Sequence, residues 1–181
     1  MFDVNLFGVM SMTKTFLPHL IFAKGTIINM GSVASHLPIP FMSTYCASKA
    51  ALFAYTESLR VELAPLHVKT TYVNVGSVKT NTNHPSTHYQ LSENSFWYPV
   101  RDVFEKQQRS GGSDGTDVRV FAREMVDRVV KRRRDTMWIG DSAWACWLAS
   151  RMERWLPWGW KILPGAFKRL YGMERVGVHG K

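Results

Sequence analysis

Apolar residues recur at helix-like steps in several stretches of this chain, and each stretch predicts a helix. The first runs from Met1 to Ile21, and Pro18 should break or end it because proline lacks the backbone N–H. The second should begin with Ser43 or Thr44 as its cap and end near Ala64. Two more are expected, from Thr116 to Arg134 and from Asp141 onward.

Three shorter runs predict strands: Thr26–Met30, Lys69–Val75 and Asp135–Gly140. The first of them is almost continuously apolar, a pattern typical of a parallel sheet that is covered on both faces. These strands alternate with the predicted helices along the chain.

The stretch from Asn81 to Gly115 is polar and predicted to be irregular. His84 and His88 are four residues apart, but no third metal ligand is apparent and Pro85 favours a turn, so they are interpreted as loop histidines and no metal is expected. Arg109–Gly115 is interpreted as a loop and not as a phosphate cradle, since no strand precedes it.

Composition and charge narrow the possible partners. The 181 residues are 45% hydrophobic, which indicates a globular domain, and the net charge of +9 suits nucleic acid, an anionic membrane or a phosphorylated small molecule. Lys131–Arg134 is interpreted as a solvated helix end, so nucleic acid is not an expected partner. Cys46 and Cys146 have no metal or redox spacing, which favours a cytoplasmic location. The sequence contains no run of 18 uncharged apolar residues, so no membrane-spanning helix is predicted.

The C-terminal part is rich in tryptophan and basic residues. Six of the seven tryptophans lie between Trp138 and Trp160. We therefore divide the chain into residues 1–140, an α/β domain, and residues 141–181, an amphipathic helical tail. The tail either lies in a membrane interface, on the endoplasmic reticulum or a lipid droplet, or packs over the domain as a lid. Its predicted helix places the following residues on one side: Trp144, Trp147, Leu148, Met152 and Trp155.

Ser32, Tyr45 and Lys49 form the strongest chemical pattern of the chain. Tyr45 and Lys49 are four residues apart, so on a helix they share one face, where the ammonium would favour the phenolate form of the tyrosine. Such a tyrosine can exchange a proton near neutral pH. Ser32 ends the predicted strand that precedes this helix, and its hydroxyl could hydrogen-bond the oxygen that gains or loses the proton.

This Ser-x12-Tyr-x3-Lys pattern, followed by Ala-Ala-Leu, closely resembles the active site of the short-chain dehydrogenases/reductases. The resemblance implies a Rossmann-like doubly wound parallel sheet and an oxidoreductase that uses NADP(H), with NAD(H) left open. It also implies that Tyr45 supplies the proton, that Ser32 holds the substrate oxygen and that Lys49 binds the cofactor ribose. FDVNLFG resembles the family segment whose asparagine holds a relay water, which is the role implied for Asn5.

VNVGSVKTN resembles the family loop around the nicotinamide, although Val75 replaces the usual proline. The resemblance implies that the Val78 backbone meets the carboxamide and that Thr80 also contacts the cofactor. The loop from His36 to Phe41 should line a pocket for a hydrophobic carbonyl or alcohol substrate, or should simply pack. In the family the helix that carries the tyrosine also forms a dimer face, which leaves a homodimer or tetramer open.

The resemblance covers the second half of the family fold and its tail. The segments Thr-Gly-x-x-x-Gly-x-Gly and Asn-Asn-Ala-Gly of the first half are missing, so we expect the doubly wound sheet to be incomplete and the chain to be either a truncated sequence or a shortened member. The tail layout looks like fungal members related to 1-acyldihydroxyacetone-phosphate reductase, which suggests lipid or secondary metabolism. A non-catalytic remnant that binds a membrane or a partner is the alternative.

Overall fold

A computed structural model describes residues 1–80, 89–113, 115–132 and 135–155, without the side chains of 109–113, 130–132 and 152–155. Its centre is a three-stranded parallel sheet in the order β1-β2-β3. The strands are β1 (Thr26–Met30), β2 (Lys69–Val75) and β3 (Thr136–Ile139). The α/β fold, the three strands and the parallel sheet expected from the sequence are therefore confirmed.

Five α-helices surround the sheet in the described part of the chain: α1 (Gly8–Ala23), α2 (Ser43–Leu63), α3 (Arg101–Ser113), α4 (Val118–Arg132) and α5 (Ala143–Trp155). A wide π-helical turn, Asp3–Phe7, leads directly into α1. Short 3-10 turns are formed by Val33–Ser35, Ala64–Leu66 and Tyr98–Val100. The residues 156–181, most of the proposed tail, lie outside the described part, and the boundary at residue 140 stays a prediction.

The expectation that Pro18 breaks or ends the first helix is wrong. Pro18 lies inside α1, which continues to Ala23 and ends where Lys24 adopts a left-handed backbone with φ 48°. Pro18 is on the exposed side, whereas Leu17 and Leu20 pack against the core. Packing on both sides of the proline therefore outweighs the one backbone hydrogen bond that it cannot make.

The capping prediction for α2 is also wrong, although its extent is right. The residue before the helix is Met42, and neither Ser43 nor Thr44 caps the end with its side chain. The preceding Phe41 has φ 63°, and its ring contacts Trp97 and Phe104 at centroid distances of 5.7 Å and 5.1 Å. The direction of the entry into α2 is therefore set by aromatic packing.

Helix α3 was not expected, because its region was predicted to be irregular and Arg109–Gly115 to be a loop. The structure instead continues the helix through Ser113. Its inner side packs on the loop before α2, where Phe104 meets Phe41 and Gln107 Nε2 donates to the Pro40 carbonyl at 2.9 Å. These non-local contacts outweigh the low helix propensity of the glycine pair at positions 111 and 112. His84 and His88 lie outside the described residues.

The core lies on both faces of β2 and on one face of β1. Ile27 packs with Leu59 and Leu63 of α2, whereas Val73 packs with Phe121 of α4 on the opposite face. Every second residue of β1 is exposed, which leaves Ile28 and Met30 at 38% and 40% exposure. The sheet is thus covered on both faces at β2, as expected, but not at β1.

Among the residues that the structure describes, one helical stretch is long and apolar enough to cross a membrane by length and composition alone. It runs from Asp3 to Ala23, and an 18-residue window within it has a mean hydropathy of 1.3 and is 11% buried. This stretch contains the charged residue Lys14, so it agrees with the observation that the sequence has no run of 18 uncharged apolar residues. The core helix of a soluble protein and a signal sequence satisfy the same criteria, so this composition identifies no membrane segment.

Candidate active site

Ser32 lies where β1 ends and the Val33–Ser35 turn begins. Its backbone is extended, its side chain is buried, and its Oγ accepts a hydrogen bond from the Ala34 N–H at 3.2 Å. The Oγ acts as the acceptor in this bond, so its O–H can still be donated. The local turn therefore holds the serine oxygen at the carboxyl end of the strand, which is where α/β sheets bind their ligands.

Tyr45 and Lys49 lie one helical turn apart near the start of α2, as the sequence predicts. The Lys49 Nζ is 5.9 Å from the centroid of the Tyr45 ring. Partial burial lowers the pKa of Lys49, because it disfavours the charged ammonium. The same Nζ donates a 3.1 Å hydrogen bond to the carbonyl of Met30, the last residue of β1. The lysine thus links the tyrosine to the strand that carries Ser32.

Asn5 reaches the same region from the turn before α1. Its Nδ2 donates to Ser48 Oγ at 3.1 Å, and Ser48 Oγ donates in turn to the Tyr45 carbonyl at 2.8 Å. Ser48 is fully buried and directly precedes Lys49. Asn5 is therefore fixed to the part of α2 that carries the tyrosine and the lysine, and its role in a water relay stays a prediction.

Tyr72 of β2, which the sequence analysis did not single out, connects the turn after Ser32 to helix α2 through its hydroxyl. Its hydroxyl donates to the Lys49 carbonyl at 3.1 Å and lies 2.5 Å from Ser35 Oγ. Burial raises the pKa of Tyr72, so the hydroxyl keeps its proton at neutral pH. A single buried phenol therefore joins the turn after Ser32 to the helix turn that carries Lys49. In the sequence, the one sign of this arrangement is Gly31 beside Ser32, because glycine allows another group to approach the backbone closely.

His36 anchors the other end of the turn that follows Ser32. Its Nε2 lies 2.8 Å from Asn74 Oδ1, and its ring contacts Phe53 and Trp138 at centroid distances of 4.6 Å and 5.2 Å. His36 and Phe41, two residues of the loop expected either to line a pocket or to pack, thus both have packing partners. These contacts favour the packing interpretation for the two ends of the loop.

Val78 and Thr80 follow β2, as expected. Val78 forms a bridge with Thr116 and packs against the Val73 cluster on the α4 side of the sheet. Thr80 is exposed and is the last residue described before residue 89. The contacts described above join Lys49 to the Tyr45 ring and Asn5 to Ser48 of the same helix, whereas the roles of Val78 and Thr80 toward a cofactor stay predictions.

A cleft of about 530 Å³ opens beside Lys49, between α1, β1 and α2. Its lining is mostly apolar, with Lys49 and Asn5 among the polar groups. The residues that line it are Val4, Asn5, Gly8, Val9, Met12, Thr13, Ile28, Asn29, Met30, Lys49 and Leu52. The cleft could therefore hold an apolar group beside the Lys49 ammonium. Among the described residues no cluster of three metal-ligating side chains is found.

The sequence is similar to those of known proteins. Residues 1–90 match the family model of the short chain dehydrogenases. The chain is 39% identical to the NADPH-dependent 1-acyldihydroxyacetone phosphate reductase of Schizosaccharomyces pombe over 73% of this chain and 46% of that protein. It is also 39% identical to the short-chain dehydrogenase srdE of Neurospora crassa, over 77% of this chain and 49% of that one. The chain thus spans about half the length of these relatives.

A solved structure gives the same fold. The crystal structure of a short-chain dehydrogenase from Streptomyces avermitilis matches this chain with a TM-score of 0.66 and 24% identity. The match covers 91% of this chain and 60% of the Streptomyces chain. The fission-yeast relative confirms the resemblance to fungal members related to 1-acyldihydroxyacetone-phosphate reductase. Sequence, fold and relatives agree that this chain belongs to the short-chain dehydrogenase/reductase family.

Proposed function

We propose that this chain carries the acid–base part of an NADPH-dependent oxidoreductase that reduces a carbonyl, or oxidises a hydroxyl, of a hydrophobic substrate. The observation that carries the proposal is the position of the Lys49 ammonium, 5.9 Å from the Tyr45 ring on the helix that follows the Ser32 turn. Ser32 holds the substrate oxygen, Tyr45 donates its phenolic proton to that oxygen, and the charge of Lys49 favours the resulting phenolate.

The described residues fit one end of a nicotinamide cofactor. The half-buried Lys49 lines an open cleft, where its ammonium can donate to ribose hydroxyls in place of the Met30 carbonyl. We assign Tyr45, Lys49, Val78 and Thr80 to this cofactor, and when bound it supplies the hydride. The name of the fission-yeast relative favours NADPH, and NAD(H) stays an alternative. The glycine-rich phosphate turn has no counterpart in this sequence.

The chemistry can be tested in a chimera in which this chain follows the segment of the fission-yeast reductase that precedes the match. We expect NADPH-dependent reduction of apolar carbonyls, lowered by about 100-fold or more in Tyr45→Phe because the acid is lost. Tyr55→Phe is the matched control, since Tyr55 lies on the same helix and packs against the core. Equal activity of the two variants, or no turnover in a chimera that binds NADPH, would contradict the proposal.

The name of one relative bears on the substrate class. The name of the fission-yeast protein suggests a phosphorylated lipid precursor as the substrate, and a secondary metabolite is the alternative expected from the sequence. Activity of the chimera on acyl dihydroxyacetone phosphate, compared with an unphosphorylated ketone of similar length, would decide between them.

Self-association, as a homodimer or tetramer, is supported by the exposed alanines of α2: Ala47, Ala50 and Ala54. Sedimentation equilibrium tests this association.

A second function, contact of α5 with a membrane surface in the cytoplasm, is favoured by its exposed apolar residues. Trp144 is 71% exposed, Trp147 and Leu148 are 43% and 44% exposed, and the Arg151 guanidinium lies 5.7 Å from the Trp147 ring centroid. Tryptophan beside a basic residue is typical of interfacial helices. The side chains of Met152 and Trp155 lie outside the described part. Co-sedimentation with anionic liposomes that survives Trp144→Ser and Trp147→Ser would contradict this second proposal.

A further inference from the structure

The phenolic oxygen of Tyr72 lies where three parts of the candidate site meet. Its O–H donates to the Lys49 carbonyl at 3.1 Å, so it takes the 2.5 Å bond with Ser35 Oγ as the acceptor. Burial raises the pKa of Tyr72, hydrogen bonds from Ser35 and the Ser32 backbone oppose that rise, and the nearby Tyr45 adds to it. The hydroxyl is therefore a neutral group that lies close to both Ser32 and Tyr45.

The segment between Ser32 and Tyr45 does not by itself fix their separation. It is twelve residues long and includes Pro38 and Pro40. After the Val33–Ser35 turn, residues 36–42 form neither helix nor strand. Because each residue of such a loop has two soft backbone dihedrals, contacts with other segments must set the distance between the serine and the tyrosine.

The bond from Lys49 Nζ to the Met30 carbonyl is one such contact, but it is not permanent. In the function proposed above, the ammonium leaves this carbonyl for the ribose hydroxyls of the cofactor. Tyr72 holds the backbone carbonyl of the same lysine, and its side chain is fully buried, so the cofactor does not compete for this bond. The contact made by Tyr72 therefore persists when the contact made by the lysine side chain is given up.

We propose that Tyr72 is a positioning residue of the reaction. Its hydroxyl holds the turn after Ser32 and the turn of α2 that carries Tyr45 at the separation required for proton transfer. This inference rests on the roles proposed above for Ser32 and Tyr45. Proton transfer requires heavy atoms about 2.6–3.2 Å apart, and a displacement of about 1 Å can lower a rate by about 100-fold. A phenylalanine at position 72 would fill the same space but leave the two turns unconnected.

The test uses the chimera described above. Tyr72→Phe should lower kcat about tenfold or more, whereas the Kd of NADPH should stay within about twofold because the buried hydroxyl does not reach the cofactor. Ser35→Ala should also lower kcat, and the double variant should be no slower than Tyr72→Phe, since each change breaks the same bridge. Thr56→Val is the matched control: it removes a buried bond from Asn29, between the same strand and helix, and kcat should change by less than about twofold.

Amide hydrogen exchange gives a second measurement that does not require turnover. The Ala34 N–H donates to Ser32 Oγ, so its exchange reports on the turn that carries the serine. In the chain itself, this exchange should become about tenfold faster in Tyr72→Phe and stay within about twofold in Thr56→Val.

The inference would be overturned by an unchanged kcat in Tyr72→Phe, by equal losses of kcat in Tyr72→Phe and Thr56→Val, or by unchanged exchange of the Ala34 amide. Unchanged turnover in Tyr45→Phe is a different result, because it contradicts the proposed function. The two failures can therefore be told apart with one set of variants.

Discussion

Gly31 and Tyr72 lie so close together that a Cβ atom at position 31 would be 2.0 Å from Tyr72 Cζ and 2.2 Å from its hydroxyl oxygen. The absence of a side chain beside Ser32 is therefore what lets the phenol of β2 pass under the turn and reach the Lys49 carbonyl. The backbone next to the candidate catalytic serine and a fully buried ring depend on each other.

Replacing Gly31 with alanine should lower the free energy of unfolding by about 1–3 kcal/mol or more, because the new methyl group overlaps a buried ring that has no room to move. Urea denaturation followed by circular dichroism measures the change. Gly25→Ala is the control: its nearest neighbour would be the end of the flexible Leu20 side chain, at 2.9 Å, so a loss below about 1 kcal/mol is expected. Equal losses would contradict the role given to the Tyr72 contact.

The hydrogen bond between Ser35 and Tyr72 should show as a coupling energy. Tyr72→Phe and Ser35→Ala should each lower the free energy of unfolding by about 1 kcal/mol, because each removes one partner of a buried hydrogen bond. In the double variant the losses should not add, with a coupling of about 0.5–1.5 kcal/mol. Additive losses in this double-mutant cycle would show that the two hydroxyl groups do not act together.

The lowered pKa of Lys49 predicts a pH dependence of stability. Its pKa in the folded state lies below the ordinary value of 10.5, so between those two values the unfolded chain binds more protons than the folded one. The contribution of Lys49 to stability should therefore rise as the pH rises through that window. Relative to Lys49→Met, the wild-type chain should gain stability as the pH approaches 10.5.

Unfolding curves of the two proteins at a series of pH values from neutral to about 10.5 would measure this difference. Lys69→Met removes a positive charge from an exposed position at the start of β2 and controls for the change of net charge. A wild-type advantage that falls with rising pH would contradict the assignment of partial burial as the cause.

Arg60 should matter for stability because its guanidinium bridges two strand ends. Its Nε donates to the Thr70 carbonyl at 3.2 Å and its Nη2 to the Asp135 carbonyl at 2.6 Å, while Nη1 pairs with Glu57. Lysine cannot reproduce this fork, so Arg60→Lys should lower the free energy of unfolding by about 1–2 kcal/mol. The exposed Arg119, changed in the same way, should cost less than about 0.5 kcal/mol in the same denaturation measurement.

The sequence pattern was sufficient to predict the features of the fold that depend on residues close together in the chain. The apolar run Thr26–Met30 predicted β1 correctly, because a short run rich in β-branched residues favours a strand. The spacing of Tyr45 and Lys49 likewise predicted that they meet, because one helical turn fixes their separation. Both features depend on residues that are neighbours in the sequence.

The errors and omissions all involve contacts between residues far apart in the chain. Pro18 stays inside α1 because the flanking apolar residues pack against α2 and β1, and α3 forms on the aromatic residue Phe41. The Tyr72 hydroxyl lies 23 positions from the carbonyl that it meets. No periodicity in the sequence encodes such meetings, so the scaffold under the site could be found only from the structure.

The hydrogen bond from Lys49 to the Met30 carbonyl gives one side chain two neighbours of different kinds, the Tyr45 phenol and the end of strand β1. The ammonium is therefore held by β1 and α2 at the same time. Any displacement of the strand relative to the helix would change its distance from the phenol, so one side chain transmits the position of the strand to the candidate site.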